Sequence, residues 1–73
     1  METFVYSKEG CPYCVKAKDL LDFYGFPYTE MKLDVDFTRE ELFKKFPHAK
    51  TFPQIIFEGE YVGGYDQLAK KLG

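Results

Sequence analysis

The stretch ETFVYSKEGCPYCVKAKDLLDFYG, residues 2–25, holds two periodic patterns with a pair of cysteines at their junction. In residues 2–7 aromatic and β-branched side chains occupy both alternating sets, Phe4 and Tyr6 on one and Val5 on the other. That is the pattern of a strand covered on both faces. From Pro12 to Tyr24, apolar residues recur at 14, 17, 21 and 24, which marks one face of a helix. Gly25 follows as its C-terminal cap. A strand thus runs through a short loop into a helix, and Cys11 and Cys14 sit where the helix begins.

Outward from this unit, FPYTEMKLDV (26–35) alternates Tyr28, Glu30 and Lys32 with Met31 and Leu33, as a second strand would. DFTREELFKKF (36–46) places Thr38 three residues ahead of Glu41, a capping-box pattern, with Leu42, Phe43 and Phe46 on a common side. It predicts a second helix, stopped by Pro47. PQIIFEGEYVGG (53–64) predicts two short strands joined at Glu58-Gly59-Glu60. YDQLAKKLG (65–73) closes the chain with Tyr65, Leu68, Ala69 and Leu72 at helical spacing.

The order is β-α-β-α-β-β-α, without repeats, low-complexity segments or a linker, so residues 1–73 are expected to form a single domain. Strand, helix, strand implies a parallel pair with a right-handed crossover, and the hairpin adds antiparallel strands. The expected class is α/β: a mixed four-stranded sheet flanked by three helices, the minimal thioredoxin-like fold.

Composition narrows the function. Seventy-three residues leave little room for a core, but eight Phe and six Tyr fill it with large side chains. A net charge of −2 provides no broad basic surface for nucleic acid. No apolar run approaches the roughly 18–20 residues of a membrane span, and METFVYSKEG lacks the charged-then-apolar layout of a signal peptide. A cytoplasmic protein is expected, and a monomer, since no long apolar surface stretch asks for a partner.

In a reducing compartment a cysteine pair is more often catalytic or metal-binding than structural. A bridge across so short a loop removes little unfolded-state entropy, which weakens the structural reading further. Zinc would need four ligands, and beyond the two cysteines the only other soft candidate is His48. A reactive dithiol fits the helix start better. Cys11 falls near the N-cap, with Pro12 at the first helical position. The backbone N–H groups of Tyr13 and Cys14, the helix dipole and Lys8 then favour its thiolate. Glu9 partly offsets Lys8. Cys14, one turn inward on the apolar face, is expected to be the less reactive thiol that resolves a mixed disulfide.

With CPYC behind the first strand, TFPQIIF in the middle and GGYDQL near the end, the chain resembles the dithiol glutaredoxins over essentially its whole length. The resemblance implies that Pro53 is cis and faces the cysteines, and that Thr51, Phe52 and Pro53 present backbone to an extended peptide-like substrate. Phe52 departs from the family's usual valine, and its bulk is expected to reshape the groove. Pro53 read without the family would be an ordinary strand-start proline.

Gly63 and Gly64 let the backbone turn closely under a ligand, and free N–H groups at the start of the last helix can bind a carboxylate. By resemblance, Gly64, Tyr65 and Asp66 would hold the γ-glutamyl end of glutathione, Lys8 would meet its glycyl carboxylate, and Tyr13 would line the groove. Arg39 is the nearest match to a further basic contact at the second helix. Asp66 read alone could be a helix cap. Lys50, beside TFP, could help steer an anion.

The implied activity is glutathione-dependent thiol–disulfide exchange on protein disulfides and glutathionylated proteins. Glutathione is the co-substrate and reductant, no metal is expected, and ribonucleotide reductase is one candidate recipient. Two alternatives stand beside it: a redoxin reduced by thioredoxin reductase, and a dimer bridged by an iron–sulfur cluster held by Cys11 and glutathione.

Overall fold

A computed structural model describes residues 2–73. The chain forms β1 (Phe4–Ser7), α1 (Pro12–Tyr24), β2 (Thr29–Lys32), α2 (Arg39–Lys45), β3 (Gln54–Phe57), β4 (Glu60–Gly63) and α3 (Tyr65–Leu72). The sheet order is β2-β1-β3-β4. β1 and β2 are parallel, with Phe4 opposite Thr29, while β3 runs antiparallel to both β1 and β4. This is the mixed four-stranded sheet with three helices that the order of elements implies, and the thioredoxin-like class stands.

Alternation along the central strands sorts their side chains into two cores. Val5, Ile55 and Phe57 pack with Ala17 and Leu21 of α1 and Leu68 of α3. Leu21, Ile55 and Leu68 are fully buried, and each such side chain contributes about 1.5–3 kcal/mol relative to exposure. On the other face Tyr6 packs with Phe37, Leu42, Phe46 and Ala49. The Tyr6 ring meets Phe37 and Phe46 edge-on, with centroids 5.2 and 5.3 Å away. Such pairs add about 0.5–1.5 kcal/mol beyond their area.

Two apolar positions depart from the periodic reading. Tyr24 is exposed because a 13-residue helix rises about 20 Å, whereas a four-residue strand spans about 13 Å. The last turn of α1 therefore overhangs the sheet. Phe43 is exposed as well, since α2 is under two turns long and touches the sheet by the narrow stripe of Leu42 and Phe46.

Helix and hairpin ends follow local chemistry. Gly25 has φ 77° and donates its N–H to the carbonyls of Leu21 and Asp22, closing α1. Glu58 and Gly59, with φ 48° and 85°, form the two-residue β3–β4 turn. Among the described residues no helix is long and apolar enough to cross a membrane.

Candidate active site

β1 ends at Ser7, and the loop Lys8-Glu9-Gly10 delivers Cys11 to the N-cap of α1, with Pro12 as the first helical residue. The Cys14 N–H donates to Cys11 Sγ at 3.2 Å. An N-cap side chain meets the second or third helical N–H, and here the third does so; among the described residues no such bond runs from Tyr13. Cys11 and Cys14 are joined as a disulfide, with Cα atoms 5.3 Å apart. Cys11 keeps 9% of its surface exposed and Cys14 2%. Cys11 is thus the more exposed of the two residues.

Tyr13, between the two cysteines in the chain, borders a cleft of about 330 Å3. One wall is Thr51, Phe52 and Pro53, and the Phe52–Pro53 peptide is cis. The opposite wall is Gly64, Tyr65 and Asp66, with Tyr13 at the helix end. The Tyr13 and Tyr65 rings lie 5.9 Å apart. A Cβ on Gly64 would stand 3.6 Å from the Pro53 carbonyl oxygen and 3.3 Å from Gln67 Oε1. The first is an ordinary van der Waals contact and the second meets the end of a flexible side chain. Gly64 is also the N-cap of α3, and its N–H donates to Gln67 Oε1 at 3.0 Å. That leaves Asp66, inside the first helical turn, with its carboxylate lining the cleft rather than capping the helix.

Lys8 does not line this cleft. It borders a second cavity of about 450 Å3, onto which Cys11, Cys14, Lys18, Glu30 and Lys32 also open. Lys8 is tied to the first cleft through Phe52, over whose ring its Nζ stands 5.6 Å from the centroid. The same ring stacks on Phe37 at 6.3 Å. The residue that departs from valine thus links a loop cation to the second core, a tie the sequence does not announce. Arg39 opens α2 as an exposed residue and borders neither cavity. Lys50 is exposed next to Thr51.

Behind the cysteines, Lys18 Nζ and Ser7 Oγ each donate to Glu30 Oε2 at 2.8 Å. The Lys18 bond, helped by Ser7, outweighs burial and holds the Glu30 carboxyl below the usual glutamate range. This group escaped sequence reasoning because its members come from α1, β1 and β2. Gln54 and Gln67 escaped it as well, although a glutamine heading the apolar run QIIF was a visible signal. Among the described residues no group of three or more His, Cys, Asp or Glu side chains could hold a metal ion.

A bonded cysteine pair at a helix start, together with a cis-proline just ahead of β3 on a mixed sheet of this topology, defines a thioredoxin-fold dithiol redox protein. The glutaredoxin family model matches residues 3–62. Glutaredoxin 1 of Rickettsia conorii is 45% identical over 67 residues, covering 88% of this chain and 65% of that protein. This chain therefore spans slightly less than two thirds of that relative's length. The crystal structure of Glutaredoxin 1 from Francisella tularensis complexed with cacodylate superposes with a TM-score of 0.83 at 26% identity, covering 97% of this chain and 91% of that one. A buckwheat glutaredoxin–glutathione complex superposes with a TM-score of 0.81 at 28% identity, covering 96% and 66%. The chain belongs to the glutaredoxin family, whose members are thiol–disulfide oxidoreductases.

Proposed function

We propose that this protein is a glutathione-dependent thiol–disulfide oxidoreductase acting on protein disulfides and glutathione mixed disulfides. The observation that carries the reading is the cleft bordered by Tyr13 of the cysteine motif, which combines Asp66, a helix N-terminus and the Thr51-Phe52-Pro53 segment. An α-amino acid head carries an ammonium and a carboxylate. Asp66 pairs with the first, and the N–H groups of Tyr65 and Asp66 hold the second. Gly64 admits the ligand closely, Thr51-Phe52-Pro53 pairs with its peptide backbone, and Tyr13 covers it. Lys8 meets the distal carboxylate, and Arg39 acts from outside the cleft through charge.

The chemistry follows from the difference between the sulfurs. Cys11 thiolate attacks a substrate disulfide, a Cys11–substrate bond forms, and one substrate sulfur leaves as a thiolate that takes a proton from water. Cys14, deprotonated in turn, attacks Cys11 Sγ. The second substrate sulfur is released and the Cys11–Cys14 disulfide forms. One glutathione thiolate then opens that disulfide to give a Cys11–glutathione bond and free Cys14, and a second removes the glutathionyl group as glutathione disulfide. A glutathionylated substrate delivers its glutathionyl group to Cys11 directly, so Cys14 is not needed.

On this reading the protein works as a monomer in the cytoplasm, and ribonucleotide reductase is one disulfide-bearing recipient its chemistry can serve. The test is turnover of a small mixed disulfide with glutathione, glutathione reductase and NADPH, beside the same protein with thioredoxin reductase as the only reductant. Strong turnover with glutathione alone is expected. Turnover with thioredoxin reductase alone would leave the dithiol in place and remove glutathione from its cycle.

A further inference from the structure

The segment Thr51-Phe52-Pro53 lies outside the strands of the sheet, so no ladder of backbone hydrogen bonds sets its position. Gln54, the first residue of β3, is buried with 4% of its surface exposed. Its Nε2 donates to the Thr51 carbonyl at 2.6 Å, and its Oε1 accepts from the Tyr61 hydroxyl at 2.5 Å. The carbonyl can only accept, so the amide NH2 must face Thr51, and the oxygen then faces β4. The Tyr61 hydroxyl is the group that satisfies that oxygen.

Tyr61 reaches this place through the sheet register. It pairs with Ile56 across the β3–β4 ladder, which puts its side chain on the same face as Gln54 two residues earlier on β3. Its ring stacks on Phe46 with centroids 4.9 Å apart and planes 26° apart. Phe46 caps the C-terminus of α2. A continuous path therefore runs from the end of α2 through Tyr61 and Gln54 to the Thr51 carbonyl.

We propose that Tyr61 and Gln54 are positioning residues that fix the Thr51–Pro53 backbone and so set how well the cleft engages its substrate. The inference rests on the proposed reading that this backbone meets an extended peptide-like substrate. Without the hydroxyl, the buried Gln54 oxygen loses its partner and the amide is free to turn. The Thr51 carbonyl then loses its restraint, and each binding event must first order the segment.

Tyr61 is half exposed, so Tyr61→Phe deletes the hydroxyl while keeping the stack on Phe46. Gln54→Glu keeps an acceptor for Tyr61 but sets a carboxylate against the Thr51 carbonyl. Two assays with purified protein are needed: steady-state turnover of a glutathionylated peptide with glutathione, and single-turnover reduction of a protein disulfide after reduction by dithiothreitol. For both variants the expected result is a rise in KM of about three- to tenfold with kcat nearly unchanged, and a matching fall in the single-turnover rate at low substrate concentration. Gln54→Asn, too short to span both partners, should behave like Gln54→Glu. Wild-type KM and single-turnover rate in Tyr61→Phe would overturn the proposal, as would a loss confined to thermal stability. Should the wild type fail with glutathione, the functional reading falls, while the dithiothreitol assay still decides the role of Tyr61.

Discussion

Cys11 and Cys14 differ by one helical turn, and that turn separates a slightly exposed N-cap residue from one buried in the apolar face of α1. The N–H of Cys14 points at Cys11 Sγ, the placement from which a helix start favours negative charge on that sulfur once the pair is reduced. Cys11→Ser should abolish both protein-disulfide reduction and deglutathionylation. Cys14→Ser should abolish the first and spare the second, read in parallel assays with an oxidised protein and a glutathionylated peptide. Equal losses in both variants and both assays would contradict the division of roles. The cysteine pair was legible in the sequence because its chemistry is local to a short motif, whereas Thr51, Pro53, Gly64 and Asp66 were singled out by the resemblance to the glutaredoxins, and the structure brings them to one cleft. Phe52 was legible as a departure, but its contacts with Lys8 and Phe37 involve residues 44 and 15 positions away along the chain, beyond any local pattern.

At the scale of elements, caps and turns decide boundaries where hydrophobic spacing is loose. Thr38 Oγ1 accepts from the Glu41 N–H at 3.2 Å, and Glu41 Oε1 accepts from the Thr38 N–H at 2.8 Å. This is the capping box expected from TREE. α2 has seven residues, too few to persist as an isolated helix, so its start depends on this box and its body on Leu42. Thr38→Ala should lower unfolding free energy by about 1 kcal/mol in urea titration, with turnover of a small mixed disulfide unchanged. The β3–β4 turn invites the opposite change. Glu58 holds φ 48°, a left-handed conformation that asparagine adopts more readily than glutamate. Glu58→Asn should therefore raise stability by about 0.5 kcal/mol, measured the same way.

Across the whole molecule, Glu30 ties three elements together: it sits on β2 and accepts from Lys18 of α1 and Ser7 of β1. Its folded-state carboxyl titrates below the ordinary range, first because of the Lys18 hydrogen bond and also because of Ser7, against the opposing effect of burial. The ionised form is thus favoured in the folded state. Its contribution is fully present at neutral pH and is lost as pH falls through the depressed folded value. Glu30→Gln should cost about 1 kcal/mol at pH 7, and the gap from wild type in urea unfolding should close in strong acid. A gap that persists unchanged in acid would mean that packing, not charge, carries the effect. The sequence by itself determined the order of elements, both ends of α1, the capping box and the redox pair, because each depends on side chains within a few positions of one another. Only the tertiary structure decided that Tyr24 and Phe43 face solvent, that Lys8 rests on Phe52, and that Tyr61 and Gln54 brace Thr51. These outcomes depend on how far a helix overhangs a strand and which strands become neighbours, and distances of that kind exist only after the chain has closed on itself.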